Sequence, residues 1–134
     1  MASFVRFLDR GEVGQVRLGM DQVEALVYLG DPPVFVGSPT IIGANVWRYG
    51  DLELEFHHHT LTRLTIFTSS RTELPNEVGN SLGFPTCEWT TATVQEQAEG
   101  VSLTVAADSI QSPGAFLTLR EGKVVRMDAR AIEP

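Results

Sequence analysis

Cysteine is almost missing from this chain: Cys87 is the single one. It cannot close an intramolecular disulfide, so packing must hold the fold, and such sparing use points to a reducing compartment. Basic residues are also scarce, 10 Lys and Arg against 17 Asp and Glu, for a net charge of -7. A nucleic-acid-binding surface needs a basic patch, so that partner class is excluded, whereas a soluble domain or one with a basic protein partner fits. No apolar run is long enough to span a bilayer. Near the N-terminus the patch Phe4, Val5, Phe7 and Leu8 is interrupted by Arg6 and Asp9, too short for a signal peptide. The expectation is a cytoplasmic protein with no membrane partner. Histidine occurs only at 57–59, and nothing ties that run to Cys87 as the base a nucleophilic thiol requires. Gly11, Gly14 and Gly19 do not follow a strand and open a helix, so no phosphate loop is present. No cofactor and no catalytic residue is expected.

What is present suits one domain. The chain has 134 residues, 43% hydrophobic and 20% charged, an ordinary globular composition. It reads as a single unit, or as halves 1–67 and 89–134 sharing a core and joined by a connector, 68–88. The first half is organised around Gly19 to Phe67. Asp21 is an N-cap with Glu24 three residues on, a capping-box spacing, and Met20 precedes it as a staple. Val23, Leu26 and Val27 give an apolar stripe at helical spacing, which predicts the buried face of that helix. Gly30 and Pro32-Pro33 end it. After a loop running from Asp31 to Gly43, Val46–Tyr49 reads as a strand and Gly50-Asp51 as a turn. Leu52, Leu54 and Phe56 then alternate with Asp51, Glu53 and Glu55, as in a half-buried strand. His57 to Thr60 turn the chain into a third strand, Leu61–Phe67.

The second half echoes the first. Ser3–Arg10 had already supplied a short amphipathic helix closed by Gly11. Thr93-Val94-Gln95-Glu96 is a second capping-box pattern, and Gly100 ends the helix it opens. Val101–Ala107 reads as a strand. Ala115–Arg120 and Lys123–Met127 form a hairpin about Glu121-Gly122. A helix and then a hairpin, seen twice, suggests a tandem repeat. The expected fold class is α+β, with short helices packed on a mainly antiparallel sheet.

Five segments of the first half, Gly19-Met20, Leu29-Gly30-Asp31-Pro32, Asn45–Tyr49, Leu52–Phe56 and Leu61–Leu64, resemble the SmpA/OmlA (BamE-like) type of small outer-membrane assembly lipoprotein. The beta-lactamase inhibitor proteins share that fold more loosely and are built as a tandem pair. The resemblance covers roughly residues 15–67. It implies helices on a small antiparallel sheet and a protein-binding role. The family's lipidated cysteine and secretion signal have no counterpart here, and its mid-helix apolar position is Ala25.

Candidate site residues follow from these patterns. Asp51, Glu53 and Glu55 line one strand face, solvated or serving as an acidic docking stripe, and with Tyr49 and Asp31 they form the expected partner-binding surface. His57 and His59 leave a strand end on the same side, and Glu55 is the nearest carboxylate, yet no spaced set completes a zinc site. Trp47 reads as a core anchor, and Trp89 stands at the edge of the connector. The expected function is non-enzymatic: a protein-binding domain, in its most specific form an immunity-like inhibitor that neutralises a basic toxin. The alternatives are a small-ligand- or metal-binding domain using the histidine turn, and a structural or assembly subunit.

Overall fold

The computed structural model describes residues 3–68, 90–98 and 100–130. Among these, the chain runs α1 (Ser3–Arg10), α2 (Gln22–Leu29), β1 (Val34–Val36), β2 (Val46–Tyr49), β3 (Leu52–His57), β4 (Thr60–Phe67), α3 (Thr91–Gln97), β5 (Thr104–Val105), β6 (Ser109–Gln111), β7 (Ala115–Arg120) and β8 (Lys123–Ala129). All eight strands belong to one antiparallel sheet, in the order β1-β2-β3-β4-β8-β7-β6-β5. The α+β expectation is therefore corrected. The helices are seven or eight residues long, and the sheet is the body of the molecule. β1 and β6 are the strands the sequence reading missed. Each is three residues long, too short to establish an alternation, and β1 lies in what read as a proline-marked loop.

The sheet consists of two four-stranded meanders joined through β4 and β8, which pair over Thr65↔Asp128, Ile66↔Met127 and Phe67↔Arg126. The halves match in detail. Each long hairpin has a register shift at corresponding positions, Glu55/Phe56 and Thr118/Leu119. Each turns through two residues with positive φ, His58-His59 and Glu121-Gly122. In each half the helix N-cap bridges the first residue of the last strand, Asp21 to Thr60 and Thr90 to Lys123. The recurring unit is thus a helix and a whole meander rather than a helix and a hairpin.

Alternation sorts the strand residues into two faces. Trp47, Tyr49, Leu52, Leu54, Phe56, Leu64, Ile66, Leu117 and Met127 are buried, and Phe7, Leu8, Ala25 and Val94 of the helices join them in one core. Trp47 is its centre, with the Phe56 ring 4.6 Å away and the indole N–H donating to the Ile41 carbonyl at 3.0 Å. Burying each such aromatic is worth about 1.5–3 kcal/mol.

α1 packs on β7 and β8, tying the N-terminus to the second half. The contact is backbone on backbone. Gly114 N–H donates to the Leu8 carbonyl at 2.7 Å, and a Cβ on Gly114 would stand 2.3 Å from the Gly11 nitrogen. Only glycine fits there.

Both N-caps form. The Asp21 carboxylate accepts from the Val23 N–H at 3.0 Å. The second cap is Thr90, which accepts from the Thr93 N–H at 3.2 Å, so Thr93 is the bonded partner rather than the cap it was expected to be. The expected strand over Val101–Ala107 shrinks to Thr104–Val105. Cys87 and Trp89 lie outside the described residues. No helix among the described residues is long and apolar enough to cross a membrane.

Candidate functional site

Glu53 and Glu55 stand on the strand face opposite the core. The register puts Glu53 beside Arg48, and Glu55 beside Arg63. The charges then alternate across the sheet: Arg48–Glu53 at 4.0 Å, Glu55–Arg63 at 3.8 Å, Arg63–Asp128 at 3.7 Å and Arg126–Asp128 at 2.8 Å. Thr65 Oγ1 donates to the same Asp128 at 2.6 Å, and that carboxylate holds the Arg126 guanidinium above its ordinary pKa. Arg48 and Arg126 lie over the Phe67 ring, 5.4 and 5.7 Å from its centroid. Individual surface pairs contribute little stability, but together they cancel the field that an acidic stripe would need.

The five residues expected to form a docking surface do not share one face. Glu53 and Glu55 belong to a charge-balanced mosaic, and Asp51 is half-buried at the β2–β3 turn. Tyr49 is on the opposite face and only 5% exposed. Its hydroxyl donates to the Gly30 carbonyl at 2.7 Å, which ties the end of α2 to β2. Burial, and secondarily the Asp31 carboxylate, push the Tyr49 phenol well above its usual range. Asp31 is exposed beside α2, and the Glu55 side chain is 47% exposed on the sheet face.

That helix holds the structure's main departure from the sequence reading. Val23, Leu26 and Val27 were expected to face the core, yet Val23 is 53% exposed, Val27 76% and Tyr28 38%. The buried residues are Gln22 and Ala25, with Leu26 and Leu29 partly covered. Positions 22, 25, 26 and 29 share one helical face, so Val23, Glu24, Val27 and Tyr28 form the other. The helix thus carries an amide inward and three large apolar side chains outward. The reason lies at its first turn. Gln22 is 1% exposed; its Nε2 donates to the Ala44 carbonyl at 2.9 Å, while its Oε1 accepts from Gly43 N–H at 3.2 Å. The Gln22 N–H itself donates to the His59 carbonyl at 2.8 Å. These bonds, together with Ala25, Leu26 and Leu29 packed against the core, fix the rotation of α2.

The outward face ends in negative charge. α2 has no basic residue in its last turn, so its C-terminal carbonyls and the exposed Asp31 add to one another. Apolar surface beside a negative helix end suits a partner with an apolar contact and an adjacent cation.

The histidine turn also lies close to α2. His59 Nδ1 is 3.0 Å from Gln22 Oε1. His57 does not join it but stacks edge-on against His58, with centroids 4.2 Å apart. The pairing of His57 and His59 as metal ligands is not formed, and among the described residues no group of three or more His, Cys, Asp or Glu side chains is placed to hold a metal ion. Between this turn and the loop at 43–45 lies a cleft of about 240 Å³ that also touches Gln22 and Phe56.

The outward face of α2 was hidden from sequence reasoning because Val23 and Val27 at this spacing look like a core stripe. The available signal was Gln22 at the start of the same face as Ala25. Scanned against models of protein families, against curated proteins and against solved structures, the chain matches none.

Proposed function

We propose that this chain is a non-enzymatic protein-binding domain that engages a basic protein through the outer face of α2. The observation that carries the reading is the outward placement of Val23, Val27 and Tyr28 on a helix flanked by Glu24 and Asp31. Large apolar side chains grouped on a surface mark interaction sites, and a chain of net charge -7 steers a basic partner toward them. In the immunity-like form of this reading the partner is a basic toxin, and binding covers the surface it acts through. A fold alone does not establish a function, so the contact face is the part to test.

The test is co-purification from host lysate at low and moderate salt, using wild type, Val23→Gln/Val27→Gln, and Glu24→Lys/Asp31→Lys. The expected result is a basic protein retained by wild type, released by moderate salt and lost with either variant. A partner retained equally by all three refutes the assignment of the face.

A further inference from the structure

β1 ends the sheet on one side and pairs only with β2. The bonds on its inner side fix what its free edge presents. Bonded and non-bonded residue pairs alternate along an antiparallel ladder. Phe56 N–H donates to the Asn45 carbonyl at 2.7 Å, so by alternation the backbone groups of Trp47 and Tyr49 also face β3. Those of Val46 and Arg48 face β1, opposite Val36 and Val34. The Val36 carbonyl also accepts from Asn45 N–H at 2.9 Å. Val34 and Val36 thus direct their backbone groups at β2. In a trans peptide the C=O and the N–H point opposite ways. Four groups therefore face outward: the Pro33 carbonyl, the N–H and carbonyl of Phe35, and the Gly37 N–H. Among the described residues no hydrogen bond reaches any of them.

These groups match a second copy of themselves. Two β1 strands laid antiparallel, Phe35 opposite Phe35, exchange N–H and C=O at that pair. Each Gly37 N–H then meets the Pro33 carbonyl of the other copy. Every outward group is used, and the N–H that proline lacks falls past the last bond. A shift of two residues either way leaves half of these bonds. Such a contact is isologous, the kind that closes at two subunits.

The side chains fit the same arrangement. Phe35 packs against the core, so Val34 and Val36 stand on the opposite face, 52% and 59% exposed. Val34 of each copy lies opposite Val36 of the other, at the non-bonded positions where side chains come closest. Exposed edges are ordinarily guarded by charge, above all by lysine. Here no Asp, Glu, Lys or Arg occurs from residue 32 to residue 47. An uncharged edge has nothing to select the basic partner proposed for α2. It also lets two chains of net charge -7 meet with no like charges inside the ladder. The molecule joins its own halves in a similar way, through three registered pairs between β4 and β8.

We infer that β1 is a self-association edge, through which two copies of the chain pair β1 with β1 in antiparallel register about Phe35 and continue the sheet across a two-fold axis. The contact is small beside the roughly 1,200 Å² of stable interfaces, so the dimer forms only at high protein concentration. It uses neither Val23 nor Val27 and is independent of the outer face of α2.

The test is sedimentation equilibrium of the full chain from about 10 µM to about 1 mM, the span in which weak association shows, with ¹⁵N–¹H spectra over the same range. Wild type is compared with Val36→Lys and with Val23→Gln/Val27→Gln. The expected result is a mass rising toward twice 14.7 kDa and no further, spectral shifts concentrated at residues 33–37, and at least tenfold weaker association in Val36→Lys. The α2 variant should match wild type. Added salt should strengthen the dimer by screening two acidic chains from each other, whereas it weakens the contact proposed for α2. The Val36 side chain is exposed, so lysine there should leave the fold intact; a variant that does not fold is replaced by Val34→Lys with the same criteria. A monomer throughout the range, association unchanged in the lysine variant, or growth beyond the dimer overturns the inference. So does a chain that stays monomeric and shifts at residues 33–37 only when another protein is added, which assigns the edge to a foreign strand.

Discussion

Replacing Val23 and Val27 together with glutamine separates a core stripe from a surface. Burying a valine fully is worth about 2 kcal/mol. Val27 keeps 76% of its surface in solvent, so roughly a quarter of that value, about 0.5 kcal/mol, is at stake. Val23 keeps 53%, which puts about 1 kcal/mol at stake. Glutamine is the better helix former, returning about 0.3 kcal/mol at each position. The double variant should therefore lose about 1 kcal/mol. With a urea slope near 2 kcal/mol/M, its midpoint should fall by about 0.5 M. Were the two valines core residues, the transfer loss alone would reach about 4 kcal/mol, most of the stability of a small domain. Equilibrium urea unfolding followed by Trp fluorescence measures the difference. Ala25→Gln is the control: Ala25 is fully buried, and forcing an amide into that position should cost at least about 2 kcal/mol. A midpoint drop above about 1.5 M for the double variant, or a smaller one for Ala25→Gln, would refute the assigned rotation of α2.

Two further predictions concern the frame that holds this helix. Gly114→Ala places a Cβ against backbone atoms of Arg10 and Gly11, so it should cost about 3 kcal/mol or more by displacing α1, visible as a large fall in the thermal midpoint; an unchanged midpoint would show that α1 does not seat on β7. Tyr49 has its phenol raised by burial and by Asp31, so the folded state keeps a proton that the unfolded state releases above about pH 10. Its contribution is complete below that pH and falls by about 1.4 kcal/mol per pH unit above it. Tyr49→Phe should cost about 1 kcal/mol at pH 7 by deleting the bond to the Gly30 carbonyl, and should flatten the alkaline decline measured by urea melts between pH 9 and 11. An identical alkaline slope in the variant would count against the burial assigned to Tyr49.

Local signals were legible in the sequence for α2 and for the long strands. Asp21 caps α2 as its side chain requires, Gly30 stops it, and the alternation of Leu52, Leu54 and Phe56 places those residues inside. The turn at Glu121-Gly122 follows from its glycine. The short strands β1 and β6 were not legible, because three residues have no period and take their conformation from the neighbouring strand. The acidic stripe misled for a related reason. Glu53 and Glu55 do stand on the face opposite the core, but Arg48 and Arg63, which pair with them, come from other strands.

By itself, then, the sequence determined the first helix cap and the long hairpins, which residues of those strands face inward, and that the whole carries excess negative charge. Those properties depend on residue type and on neighbours within a few positions. The tertiary structure alone decided which way α2 is turned, which charges remain uncompensated, and that two meanders share one sheet. The rotation of α2 rests on bonds from Gln22 to Gly43, Ala44 and His59. Buried polar groups must find partners, and this rotation satisfies the amide while it seats Ala25, Leu26 and Leu29 against the core. Partners so far apart in the chain leave no local signal of where the Gln22 amide is held.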